Sequence, residues 1–171
     1  MGIINNFFLI AIFGLAVYIG NSKANQYINR LKELISIKSA LNIFENKIKF
    51  TQSPLAEIFK QIAENSSEKN VKNIFRTLNT EIKQNVNMHK SWENAINTKE
   101  SNLSNEDKKI LIDMGKILGT TDIEGQVSNI RITSSFIDRQ IEKAEQEKEK
   151  NVKLFRTLGI VSGLTIIIIL I

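Results

Sequence analysis

Residues 122–171 read DIEGQVSNIRITSSFIDRQIEKAEQEKEKNVKLFRTLGIVSGLTIIIILI, and three compositions follow one another along them. Ile123, Val127, Ile130, Ile137, Ile141 and Ala144 recur at helical spacing, which predicts an α-helix with one buried face, and Asp122 stands where its N-cap belongs. Glu142 to Lys153 is almost wholly charged. It reads as a solvated stalk in which Lys143 can pair with Glu147, and Glu149 with Lys153, one turn apart. Leu154 to Ile171 then carries one charge, Arg156, close enough to its start to snorkel to an interface. That run makes about 27 Å of helix, enough to place its end at the far head groups and leave no domain beyond the membrane. Stalk and span are expected to be continuous.

The opposite end matches it. Ile3 to Ile19, IINNFFLIAIFGLAVYI, has no charge and only Asn5 and Asn6 as strongly polar side chains. It spans about 25 Å as a helix, and Tyr18 falls where an interfacial aromatic would sit. No Lys or Arg precedes the run and no small-x-small cleavage site follows it, so a retained anchor is favoured over a cleaved signal peptide. The expected organisation is therefore a transmembrane helix over 1–20, a helical body with its stalk over 21–153, and a second transmembrane helix over 154–171.

Charge gives the orientation. The net charge of +5 is concentrated beside the apolar ends: Lys23, Arg30, Lys32 and Lys38 follow the first, and Lys148, Lys150, Lys153 and Arg156 lie at the second. Positive residues are retained on the inner side, so the body is expected in the cytoplasm, against the lipid bilayer. This accounts for the basic balance more simply than nucleic acid, which is not expected as a partner. Within the second span, Gly159, Ser162 and Gly163 are candidates for close helix packing, either against the first span or against a partner.

Through the middle, apolar residues recur every three or four positions and no strand pattern emerges. A helix from about Asn25 to Phe50 would bury Ile28, Leu31, Ile35, Leu41, Phe44 and Ile48. Ser53-Pro54 predicts a second helix, capped by the serine, with Leu55, Ile58, Phe59 and Ile62 inward. A third, about Glu68 to Gln84, carries Val71, Ile74, Phe75, Leu78 and Ile82. A weaker fourth surrounds Trp92 with Ala95 and Ile96. A fifth opens on a Ser104/Asp107 capping box, buries Ile110, Leu111, Met114 and Leu118, and stops at Gly119. The predicted fold is all-α: an antiparallel bundle of about six helices flanked by transmembrane helices. Its expected core includes Leu31, Leu41, Phe59, Ile74, Leu78, Trp92, Leu111, Leu118, Val127, Ile130 and Ile137.

Chemistry is sparse. The absence of cysteine excludes disulfides and thiolate metal sites, and one histidine, His89 in a polar junction, cannot build a His-rich centre. Glu142, Glu145, Glu147 and Glu149 alternate with lysines as a solvated helix does. Gly115-Lys116-Ile117 lacks the rest of a phosphate loop. Trp92 reads as a core anchor rather than a ligand platform. No catalytic residue, cofactor or metal is expected, and no enzymatic activity.

Several stretches together carry a resemblance: Thr51-Gln52-Ser53-Pro54-Leu55, Trp92, Leu118-Gly119-Thr120-Thr121-Asp122 leading to Gln126 and Ile130, the charged stalk, and Leu158-Gly159-Ile160-Val161-Ser162-Gly163-Leu164. Across essentially the whole chain the sequence resembles the stage III sporulation protein AB family, whose soluble domain is similar to the cytoplasmic bundles of type II secretion and type IV pilus platform proteins. The resemblance implies a platform in the mother-cell membrane around the forespore, part of a secretion-like channel needed for endospore formation. It implies two kinds of partner: a cytoplasmic secretion-type ATPase similar to stage III sporulation protein AA, and other membrane proteins of the channel. A platform protein carries two such bundles where this chain has room for one. The alternative is a membrane-anchored regulatory or adaptor protein whose bundle binds a cytoplasmic signalling partner.

Overall fold

The computed structural model describes residues 2–51, 53–84 and 87–170, with side chains from Phe7 onward. The side chains of Asn5 and Asn6, and Gln52 and Ile171, lie outside the described residues. Within them the regular structure is entirely helical, in the order α1 (Gly2–Asn46), a π-helical turn (Lys47–Thr51), α2 (Leu55–Asn65), α3 (Lys69–Lys83), α4 (Met88–Ile96), α5 (Asn105–Ile117) and α6 (Ile123–Leu170). The protein is all-α. Its chain divides into two compact units, Met1–Leu31 with Lys143–Ile171, and Lys32–Glu142; α1 and α6 contribute to both.

The unit Lys32–Glu142 is built around aromatic side chains. Phe59 of α2 packs against Phe44 of α1 (5.7 Å between ring centres), Phe75 of α3 (5.9 Å) and Trp92 of α4 (6.1 Å). Such pairs add a geometric preference to their large buried area, so one α2 residue fixes the mutual register of three helices. Trp92 Nε1–H donates to the Leu111 carbonyl at 2.7 Å, which satisfies the indole's only polar atom inside the core. The same ring packs closely on α5 because residue 115 is glycine: a β-carbon there would stand 2.2 Å from Trp92 Cδ1. Phe59, Leu78, Ile130 and Ile137 have no exposed surface, and Leu41, Ile74, Trp92, Leu111, Leu118 and Val127 are buried too.

Local signals place the ends of the later helices. At α5 the box is complete: Asp107 N–H donates to Ser104 Oγ (3.2 Å), and Ser104 N–H donates to Asp107 Oδ2 (2.8 Å). Gly119 takes a left-handed φ of 77° just beyond α5. Asp122 Oδ1 accepts from Gly125 N–H at 2.9 Å, opening α6. Asn87 opens α4, its side chain accepting from the His89 and Lys90 amides.

Four expectations are corrected. Pro54, not Ser53, occupies the N-cap of α2, and its carbonyl takes the first amides; the Ser53 hydroxyl bonds Thr51 Oγ1 instead, at 2.9 Å. Ile35 and Ile123 are exposed, at 51% and 40%, because the buried stripe of α1 runs through Leu34 and Ile37, and Ile123 sits in the first turn of α6. The first apolar run and the first bundle helix are one helix, since nothing between Gly20 and Asn25 breaks it. The stalk is not fully solvated: Glu147 accepts from Arg30 of α1 at 2.6 Å, while Ala144 is buried as its place on the apolar stripe predicts.

Candidate functional site

In the unit formed by Met1–Leu31 and Lys143–Ile171, α1 and α6 run antiparallel. Their register is marked by four contacts: Arg30 with Glu147, Tyr27 stacked on Phe155 (5.9 Å between ring centres), Gly20 against Gly159, and Gly163 against Phe13 and Ala16. The middle of this sequence is backbone on backbone. A β-carbon at Gly20 would lie 2.6 Å from the Phe155 carbonyl oxygen and 2.9 Å from Gly159 Cα; one at Gly159 would lie 3.0 Å from the Ala16 carbonyl oxygen. Only glycine at both positions allows this approach, and close approach is what adds dispersion contacts where lipid offers no hydrophobic drive.

Of the three candidate packing residues, Gly159 and Gly163 are buried in the pair. Ser162 is exposed on the other side of α6 and donates to the Gly159 carbonyl at 3.2 Å. Thr165 likewise donates to the Val161 carbonyl at 2.9 Å. Both hydroxyls are thus satisfied within the helix and need nothing from an apolar surround. Gly20 was missed by the sequence reading. Its signal was present: Ala16 and Gly20 repeat on α1 the four-residue spacing of Gly159 and Gly163.

The outward faces of the pair are greasy. Phe7, Ile10, Leu15 and Tyr18 of α1, and Ile168 and Ile169 of α6, are 62–76% exposed. Two helices here are long and apolar enough to cross a membrane. The ion pair of Arg30 with Glu147 lies past the apolar runs, with Arg30 nearly buried.

In the other unit two carboxylates are enclosed among the described residues, Asp107 in the α5 cap and Glu33 of α1. Glu33 is 1% exposed. Its Oε1 accepts from the Ser101 hydroxyl (2.7 Å), and its Oε2 from the Asn102 amide (2.9 Å) and from the side-chain amides of Asn102 and Asn70 (3.3 Å each). A carboxylate this deep is tolerable only when its lone pairs are filled, and here they clamp the α4–α5 connection to α1. The structure holds His89 exposed, Gly115-Lys116-Ile117 within α5, and Glu142, Glu145 and Glu149 exposed.

The sequence profile of stage III sporulation protein AB matches residues 7–171, nearly the whole chain. The chain belongs to that family. A relative in Bacillus subtilis (strain 168), stage III sporulation protein AB, is 25% identical over 154 residues, covering 88% of this chain and 90% of the relative. A solved structure of stage III sporulation protein AB superposes with a TM-score of 0.64 at 21% identity, over 71% of this chain and 98% of that one. The likeness to that structure establishes the fold. The family match makes this a sporulation protein, and family membership with two apolar helices associates it with membrane.

Proposed function

We propose that this family member is a non-catalytic membrane platform. Residues 1–20 and 154–171 cross the mother-cell membrane around the forespore, and the helical body lies in the cytoplasm. There the body engages a secretion-type ATPase and, with other membrane proteins, forms part of a channel between the two cells. The observation that carries this reading is the antiparallel pair itself: two greasy helices meeting through Gly20 and Gly159, with basic residues at one end of both apolar runs. Charge bias at both helices gives the same orientation, which a random distribution of lysines would not. Continuity of α6 from Ile123 to Leu170 gives the body a direct covalent path to the bilayer, suited to passing a partner's conformational cycle to the spans.

Two measurements test it. In intact cells, engineered protease sites beside Ser66 and Asn102 should resist external protease and be cut only after lysis; cleavage from outside would reverse the topology. The full-length chain should co-purify with the secretion-type ATPase encoded in the same genome. Val127→Asp with Ile130→Asp should abolish that association by placing unpaired charge at two buried positions. Retention of the ATPase by the unfolded variant would refute the engagement.

A further inference from the structure

Positive charge lines one groove of the unit Lys32–Glu142. An open groove of about 390 Å³ between α2 and α3 is lined by Lys60, Lys72, Arg76 and Lys83, with Ala63 and Asn79 between them and one acid, Glu64. At 100° per residue, positions 72, 76, 79 and 83 of α3 fall within about 60° of arc, so the cations of α3 share a single face. They extend along about 16 Å of the helix axis at 1.5 Å per residue.

Elsewhere in this unit, among the described residues, three cations meet a carboxylate. Lys38 meets Asp138, Arg131 meets Glu45 at 2.7 Å, and Lys116 meets Asp113 at 2.6 Å. Within the groove, among the described residues, Lys60 pairs only with Glu64, at 4.0 Å. Among the described residues Lys72, Arg76 and Lys83 have no carboxylate partner. A row of like charges held together repels itself and is stabilised by an anion that joins it.

We infer that the groove between α2 and α3 is a docking site for an acidic segment of a partner protein. Three features favour that occupant. Three of its four cations are spaced along one face of α3 with the fourth on the facing α2, a linear arrangement that suits a peptide lying along α3. Among the described residues its lining holds no aromatic side chain on which a base could stack. Glu64 on one wall opposes a continuous phosphate backbone but can be stepped over by carboxylates spaced along a peptide. Complementary charge of this kind sets partner choice and association rate more than bulk affinity. The inference does not rest on the platform reading, because it requires neither an ATPase nor a particular topology.

The test uses the full chain in nanodiscs of neutral phosphatidylcholine. Binding of a fluorescein-labelled Glu-rich peptide is measured by anisotropy, beside phosphatidylglycerol vesicles and a single-stranded oligothymidylate. Arg76→Glu with Lys83→Glu is compared with Lys99→Glu and Lys109→Glu, exposed cations outside the groove that change net charge equally. The peptide should bind the parent, and the groove variant should bind about tenfold or more weakly while the control stays within about twofold. Circular dichroism that is unchanged in both variants excludes misfolding. Equal losses in the two variants would overturn the inference, as would groove-dependent binding of vesicles or oligonucleotide with none of the peptide.

Discussion

The two most consequential side chains in the body differ in how openly the sequence displays them. Trp92 is the only tryptophan, and an isolated indole beside Ala95 and Ile96 marks a core anchor. What spacing could not disclose is its seat on Gly115, twenty-three residues away, which looks on paper like a weak spot in a helix. Gly115→Ala should therefore destabilise despite its higher helix propensity, by about 1–3 kcal/mol, because the ring has to leave its slot. Urea unfolding of the full chain in micelles, followed by Trp92 fluorescence, would measure it; a stabilised variant would contradict the geometry. Glu33 was illegible. An acid on a mixed helix reads as solvated, and its partners Ser101 and Asn102 are brought to it only by the fold. Glu33→Ala should cost about 2–3 kcal/mol in the same assay by leaving buried donors unmet, and Glu33→Gln, which keeps an acceptor, should cost less. Equal effects would show that volume rather than hydrogen bonding matters there.

Among elements, those with local start and stop chemistry were readable and those defined by continuity were not. The fifth helix declared itself through Ser104, Asp107 and Gly119, all of which act within four residues of the helix end. Ser104→Ala should lose about 1 kcal/mol, and Asp107→Ala more, since Asp107 is wholly buried while its carboxylate caps the Ser104 amide. Denaturation midpoints that left Asp107→Ala the milder variant would deny the box its reciprocal half. At α2, by contrast, proline displaced the serine from the cap: its fixed φ and spare carbonyl suit that place, and Thr51 offers the Ser53 hydroxyl another partner. The length of α1 was hidden because Gly20-Asn21-Ser22 looks like a linker by composition. Composition does not break a helix when one of those residues is held against a neighbouring backbone, and Gly20 is.

At the scale of the whole molecule, the reading depends on whether α1 and α6 meet in the membrane through their glycines. Ala16 and Gly163 supply a direct probe, because a β-carbon at 163 lies 3.3 Å from Ala16 Cβ, near the separation that a disulfide spans. The chain has no native cysteine, so Ala16→Cys with Gly163→Cys introduces one possible pair, and the Phe13 ring beside residue 163 can turn aside. In native membranes this variant should oxidise to a species of monomer size with altered mobility. Adding Gly20→Leu inserts a side chain where the Phe155 carbonyl stands 2.6 Å from the first added atom. Overpacking there costs on the order of 1–3 kcal/mol, so the crosslinked fraction should fall severalfold while Trp92 fluorescence is unchanged. Dimers in place of the monomeric product would mean that the glycines pair one chain with another. A yield indifferent to Gly20→Leu would mean that the helices associate through some other face, and the pair could no longer support the proposed arrangement of spans.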